Sequence, residues 1–417
     1  MKLSGSFCPP GDKSVSHRVA LMSLLARGET IVSGYSPCQD CASTLAAVKL
    51  LGGDVIASPD GLCLKGLGGA FKESGVIDCG NSGTTMRLLM GILAGRPGRF
   101  ELDGDESLRR RPMERVAAPL RLMGAEVDCT DGRPPVRIGG GGLKGFEYDL
   151  PVASAQLKSA LLLAGIQAEG LTRVIEPAIS RDHTERMLKQ WGASIHHKGR
   201  AWTVKRSGLT LPPTFQVPGD TSSTAFFICG AAFLSGSRVE AQNVLLNPTR
   251  TGWLEVLRRM GARMETEIKG EDPEPWGDIR VEFSPELSAC EVRAEEIPLL
   301  VDEVPILALA ATQCRGTTIF RQVGELRVKE SDRLAAIVTE LGKMGARLSI
   351  QGEDLTVEGP TPLERPTEDL SAWDDHRIAM TLKIAGLLSG GEPLVRGEEC
   401  AAVSYPGFIR ALEALVK

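Results

Sequence analysis

Several things are scarce in these 417 residues, and each scarcity closes a class of function. Positive charge has no surplus: 48 Lys and Arg stand against 53 Asp and Glu, a net charge of −5, so no global basic field is offered to nucleic acid or an anionic membrane. No apolar run approaches a membrane span. The N-terminus has Lys2 but neither the apolar segment nor the cleavage site of a secretory signal, and a cytoplasmic protein is expected. Ten cysteines are scattered without a dense framework, which fits a reducing compartment. Cys38 and Cys41 have the spacing of half a zinc or redox site, but no second pair or His cluster accompanies them, and buried or incidental thiols are the favoured reading. Nor is there a Walker loop. That motif needs Gly directly before Lys-Ser and again five positions earlier, where this chain has Asp12 and Phe7.

What is present is a repeat. Gly52, Gly124, Gly192, Gly261 and Gly345 each follow an apolar helical stretch and precede an alternating one, as a left-handed helix cap leading into a hairpin would. Between them recur small-residue apolar helices, among them Leu161-Leu162-Leu163-Ala164-Gly165 and Ile384-Ala385-Gly386-Leu387-Leu388, each followed by a short strand. Six units of roughly 70 residues, reading helix, strand, helix, hairpin, account for the chain. Pro218-Gly219-Asp220-Thr221-Ser222 echoes Pro10-Gly11-Asp12-Lys13-Ser14 after three such units. The fold class expected is therefore α/β in two three-unit domains, one spanning 12–218 and the other 1–11 with 219–417. The last unit has no hairpin after Phe408–Lys417, so Lys2–Cys8 is expected to supply a strand there.

The first helix of every unit begins beside polar residues: Lys13-Ser14, Asn81–Thr85, Ser154-Ala155-Gln156, Asp220–Ser223, Asp302-Glu303 and Asp374–Arg377. Helix entrances expose N–H groups and a positive dipole end, so six of them facing one interdomain cleft would hold polyanionic small molecules. The cations Arg109-Arg110-Arg111, Arg181 and Arg327-Val328-Lys329-Glu330-Ser331-Asp332-Arg333 belong to the same inventory. A helix opening at Leu334 would put Lys329 and Arg333 on one face, with Glu330 beside Arg333.

Four stretches, Pro10–Arg18, Gly80–Arg87, Arg327–Arg333 and Asp375–Met380, resemble the signatures of the 5-enolpyruvylshikimate-3-phosphate synthase family, in order along the whole chain. The resemblance implies an enolpyruvyl transferase fold of two domains, each of three βαβαββ units, with the active site in the interdomain cleft. It implies addition of the 5-hydroxyl of shikimate 3-phosphate to phosphoenolpyruvate, then loss of phosphate from a tetrahedral intermediate, with no metal or organic cofactor, in aromatic amino acid biosynthesis. By the same resemblance Lys13, Gly83, Arg111, Arg333 and Arg377 face phosphoenolpyruvate. Lys13, Ser14, Arg18, Ser154, Gln156, Arg181, Asp302 and Lys329 hold shikimate 3-phosphate. Asp302 matches the base at the hydroxyl and Glu330 the acid at the methylene carbon, with Lys13 sharing the proton transfer. Inhibition by glyphosate, controlled at Gly83, is implied too, as are small-molecule partners only and a monomer.

Many members carry a Lys, Thr or Ser just upstream of the aromatic-Pro pair; here Ala402-Val403-Ser404 precede Tyr405-Pro406, so a Lys contact is absent at Val403 and the cation set leans on Lys329. Two alternatives remain: the sister transferase acting on UDP-N-acetylglucosamine, and a non-catalytic anion-binding scaffold of the same fold. The first would show Lys-Asn in the opening loop and a reactive Cys on a mobile loop, whereas this chain has Lys13-Ser14 and no Cys in Ser107–Arg111. Retention of Lys13, Asp302 and Glu330 together speaks against the second.

Overall fold

The computed structural model describes residues 1–391 and 394–417, which divide into two compact units: Gly11–Val217, and Met1–Pro10 with Pro218–Lys417. Within Gly11–Val217 the repeat is plain. Strand Ser74–Asp78, helix Gly83–Ala94, strand Arg99–Asp103, helix Glu114–Leu122 and the strands Glu126–Thr130 and Arg133–Gly139 form one βαβαββ unit. Alternation selects the strand faces, since Phe100 and Leu102 are buried while Glu101 between them is partly exposed. The first pair of strands is parallel because a helix connects them; the last is antiparallel because a tight turn does. Two more four-stranded sheets repeat this order around strands Glu29–Ser33 and Leu171–Ile175.

The other unit carries two such sheets, around Arg238–Leu245 and Gly316–Phe320, and a third reduced to the parallel pair Leu370–Ser371 and Val395–Arg396. The N-terminal strand Ser4–Phe7 is not part of that reduced sheet. It runs parallel to Arg238–Leu245 at the edge of the fourth repeat's sheet, while Lys2 and Leu3 just before it meet the end of the last repeat through the bridge Leu3 to Val416 and the backbone hydrogen bonds between Lys2 and Lys417. Repeat order explains the difference: in the first unit, Thr214–Gln216 closes the third repeat and pairs with Glu29–Ser33 of the first, and Ser4–Phe7 takes the same place opposite Arg238–Leu245.

The first helix of each repeat is the core. Every residue of Thr221–Phe233 and of Val304–Ala311 is buried, as are nearly all of Gly83–Ala94 and His376–Leu388, so these helices are apolar all round rather than striped. At about 1.5–3 kcal/mol for each large apolar side chain removed from water, their burial dominates the stability of each unit. The five repeat glycines at 52, 124, 192, 261 and 345 all have φ between 87° and 100°, the left-handed cap that ends a helix before its hairpin.

Candidate active site

Many of the polar residues lie where these buried helices begin. Asp12 Oδ1 accepts from the Val15 amide at 2.9 Å, and Ser82, Ser154, Asp220 and Asp375 cap their own helices in the same way. Each such cap contributes about 0.5–2 kcal/mol and fixes the angle at which the chain enters the helix. Val304–Ala311 has no side-chain cap; a short 3-10 turn, Val301–Glu303, leads into it and Pro305 occupies its first turn.

In Gly11–Val217 the sequence candidates are linked by side-chain hydrogen bonds. Lys13 Nζ pairs with Asp40 Oδ2 at 3.0 Å. Arg18 is buried, and its guanidinium donates to Thr184 Oγ1 (2.7 Å), Ser159 Oγ (3.0 Å) and the Ser14 carbonyl (3.0 Å), tying together the helices Lys13–Ser23, Ala155–Gly165 and His183–Gln190. Gln156 Nε2 donates to Thr84 Oγ1 at 2.9 Å, and its Oε1 accepts from Arg87 Nη1 at 2.6 Å. Arg111 reaches Asn81 Oδ1 at 2.8 Å, whereas Arg109 and Arg110 pair with Asp103 and Glu106 on the surface. Of the three consecutive arginines, only Arg111 therefore joins the loop ahead of Gly83. A Cβ on Gly83 would lie 2.9 Å from Arg87 Nη1 and 3.3 Å from Arg111 Nη1, so the glycine makes room for two guanidinium groups. The Ser154 hydroxyl is engaged as a cap, and Arg181 is half-buried in the loop before His183.

His17 is fully buried, with Nδ1 2.6 Å from Thr44 Oγ1. Burial first, then the charges of Lys13 and Arg18, push its pKa well below 6.5, so the ring is neutral. Cys38 and Cys41 are buried at the start of helix Gln39–Leu50, where the Cys41 thiol lies 3.7 Å from the Lys13 carbonyl. A hydrogen bond from Cys41 brings the Cys38 pKa down to about 7.

The second unit holds the carboxylates. Arg333 opens helix Arg333–Lys343 with its side chain 1% exposed, and its three nitrogens each meet a different acid: Nη1 to Asp302 at 3.1 Å, Nη2 to Glu330 at 2.6 Å and Nε to Asp375 at 2.8 Å. Burial opposes its charge, but Asp375, Glu330 and Asp302 outweigh burial and hold its pKa above the ordinary arginine value. Arg333 thus holds Asp302 and Glu330 side by side. Lys329 and Arg333 do not share a helical face: Gly324–Val328 is a 3-10 turn, Lys329 is extended, and its Nζ pairs with Glu325 at 3.0 Å. Arg377 is 4% exposed, with its guanidinium carbon 5.9 Å from the centre of the Phe226 ring. Among the described residues, its Nε and Nη1 have no hydrogen-bond partner. A buried cation left in this state costs free energy unless an anion meets it. Val403 ends the 3-10 turn Glu398–Val403.

Asp40, Arg87, Ser159 and Thr184 are absent from the candidates drawn from sequence. Arg87 had a signal, since it lies one helical turn after Gly83 inside a quoted motif. Thr184 had none, because it meets Arg18 only through the fold.

Two capped three-repeat units with basic and acidic helix entrances define the class. The chain resembles the enolpyruvyl transferase NikO from Streptomyces tendae with a TM-score of 0.80 at 20% identity, covering 99% of this chain and 95% of that one, which shows a shared fold. EPSP synthase from Acinetobacter baumannii is nearer, with a TM-score of 0.87, 40% identity, and 99% and 96% of the two chains covered. Residues 1–412 match the family model of EPSP synthase (3-phosphoshikimate 1-carboxyvinyltransferase), and the chain belongs to that family. Proteins named 3-phosphoshikimate 1-carboxyvinyltransferase from Synechococcus sp. (strain JA-3-3Ab) and Shouchella clausii are 48% and 45% identical to it, each aligned over 99% of this chain and over 95% and 96% of their own lengths.

Proposed function

We propose that this chain transfers the enolpyruvyl group of phosphoenolpyruvate to the 5-hydroxyl of shikimate 3-phosphate and releases phosphate. The observation that carries the reading is the pairing of two features within one unit: a buried Arg377 guanidinium with unbonded nitrogens, and two partly exposed carboxylates, Asp302 and Glu330, held by one buried arginine. The first is a seat for an anion. The second is a pair of carboxyl groups, held side by side by that arginine, of the kind that general acid-base chemistry uses.

In the forward reaction Asp302 accepts the proton of the 5-hydroxyl as its oxygen bonds the central carbon of phosphoenolpyruvate, and Glu330 delivers a proton to the methylene carbon. Phosphate then leaves that central carbon while a proton leaves the new methyl group, restoring the double bond. Lys13, Arg111 and Arg377 balance the anionic charge of phosphoenolpyruvate, with Gly83 leaving space beside them. Ser14, Arg18, Ser154, Gln156, Arg181 and Lys329 serve shikimate 3-phosphate. Arg333 adds its charge to the phosphoenolpyruvate set while holding the two carboxylates. We take the enzyme to work as a cytoplasmic monomer, for which its ten free thiols suit a reducing compartment.

Phosphate release measured with shikimate 3-phosphate and, separately, with UDP-N-acetylglucosamine tests the acceptor; turnover with the second alone would overturn the reading. Asp302→Ala is expected to block addition while shikimate 3-phosphate still binds. Glu330→Gln should suppress both turnover and solvent-deuterium entry at the methylene carbon. Wild-type exchange in Glu330→Gln would transfer the acid role to Lys13.

A further inference from the structure

Helix Arg333–Lys343 touches the chain ahead of Arg377 at two places. At its start, Arg333 holds Asp375. Two turns later Glu340, whose side chain is 2% exposed, holds the segment that leads there: Oε2 accepts from the Ser371 amide at 3.0 Å and Oε1 from the Trp373 indole N–H at 2.8 Å. The segment needs holding. The Asp375 amide donates to the Ala372 carbonyl at 2.9 Å, closing a turn whose two central residues, Trp373 and Asp374, have φ of 55° and 52°. Turns that are left-handed at both central positions favour Asn and Gly, and a tryptophan holds that conformation only where surrounding contacts impose it. Directly after the turn, Asp375 caps helix His376–Leu388, with Oδ1 accepting from the Arg377 amide at 2.9 Å and Oδ2 from Arg333 Nε.

We propose that Glu340 is a positioning residue for the anion seat: by fixing the Ala372–Asp375 turn through Ser371 and Trp373, it sets where the Arg377 guanidinium meets phosphoenolpyruvate. This rests on the reading of Arg377 as a group that binds that substrate. Lys343 also pairs with Glu340, at 2.9 Å.

The test is steady-state kinetics of the full-length enzyme with both substrates varied. Glu340→Gln keeps one acceptor oxygen and loses the other, and Trp373→Phe keeps the ring while deleting the N–H donor. Each is expected to raise KM for phosphoenolpyruvate about ten-fold, the scale of one lost hydrogen bond to a charged group. KM for shikimate 3-phosphate should stay within about two-fold, the double variant should be no worse than the weaker-binding single, and Lys343→Met should leave both constants unchanged. Arg377→Ala separates the two layers. If it raises KM for phosphoenolpyruvate while Glu340→Gln and Trp373→Phe do not, the positioning role is overturned. If Arg377→Ala leaves that constant unchanged, the anion seat itself falls and this inference with it. A parallel rise for both substrates in the turn variants would mean general loosening and would also overturn the proposal. Should Glu340→Gln fail to fold, Trp373→Phe alone decides.

Discussion

Lys13 shows how a neighbour changes the expected result of a substitution. Its Nζ satisfies Asp40 Oδ2, while Asp40 Oδ1 is buried without a hydrogen bond among the described residues. Lys13→Met should abolish turnover and also strand a largely buried carboxylate, lowering stability by about 1–3 kcal/mol. The double variant Lys13→Met with Asp40→Asn should recover most of the lost melting temperature and none of the activity, as thermal melts and phosphate release would show. Gly83 is a second case. The methyl of Gly83→Ala would press on the Arg87 and Arg111 guanidinium ends, which are flexible, so the fold should tolerate it while the ligands do not. Glyphosate is longer than phosphoenolpyruvate, so its inhibition constant should rise roughly ten- to a hundred-fold and the Michaelis constant of phosphoenolpyruvate by less. An unchanged ratio of the two constants would remove Gly83 from the site. Which residues were legible beforehand follows from chain distance. Caps and repeat glycines obey local backbone rules and can be read directly, whereas Arg18 and Thr184 are 166 positions apart and their bond exists only once three helices meet. Glu330 beside Arg333 could be read from their spacing, whereas Asp302 and Asp375 are 31 and 42 positions from Arg333 and reach it only through the fold.

At the scale of elements, helix Lys13–Ser23 carries a pH dependence that its sequence does not announce. His17 stays neutral in the folded protein because its pKa lies well below 6.5, whereas the unfolded chain takes up a proton near that value. Below pH 6.5 the unfolded state therefore binds more protons, and the contribution of His17 falls as pH drops toward its folded pKa, by up to ~1.4 kcal/mol per pH unit. His17→Gln can still bond Thr44 and does not titrate, so its melting temperature should fall less steeply than the wild type's on acidification from neutrality to about pH 5. Equal slopes would exclude His17 as the titrating group. The repeat was readable because helix, cap glycine and hairpin recur with one period. The placement of Ser4–Phe7 was not, since a four-residue polar strand carries almost no register information and only the completed sheet assigns its edge.

For the molecule as a whole, Gly11–Val217 is one continuous stretch, while the other unit must recruit Met1–Pro10 to complete its first sheet. Residues 11–217 expressed alone should melt cooperatively by circular dichroism. Residues 218–417 alone should melt earlier and scatter light on heating, because Arg238–Leu245 then presents an open edge, and a peptide of residues 1–10 should restore much of the difference. Equal melting with and without the peptide would show that the strand contributes little. The same connection has a consequence during synthesis. Each residue of Ser4–Phe7 pairs with one 234 positions further on, so at about 5–20 residues per second this strand waits roughly 12–47 s for its partner to leave the ribosome. All of Gly11–Val217 emerges in that interval. A strand reading Ser-Gly-Ser-Phe, short, polar and interrupted by glycine, is a poor template for joining other nascent chains, and those qualities let it remain unpaired until the fourth repeat arrives.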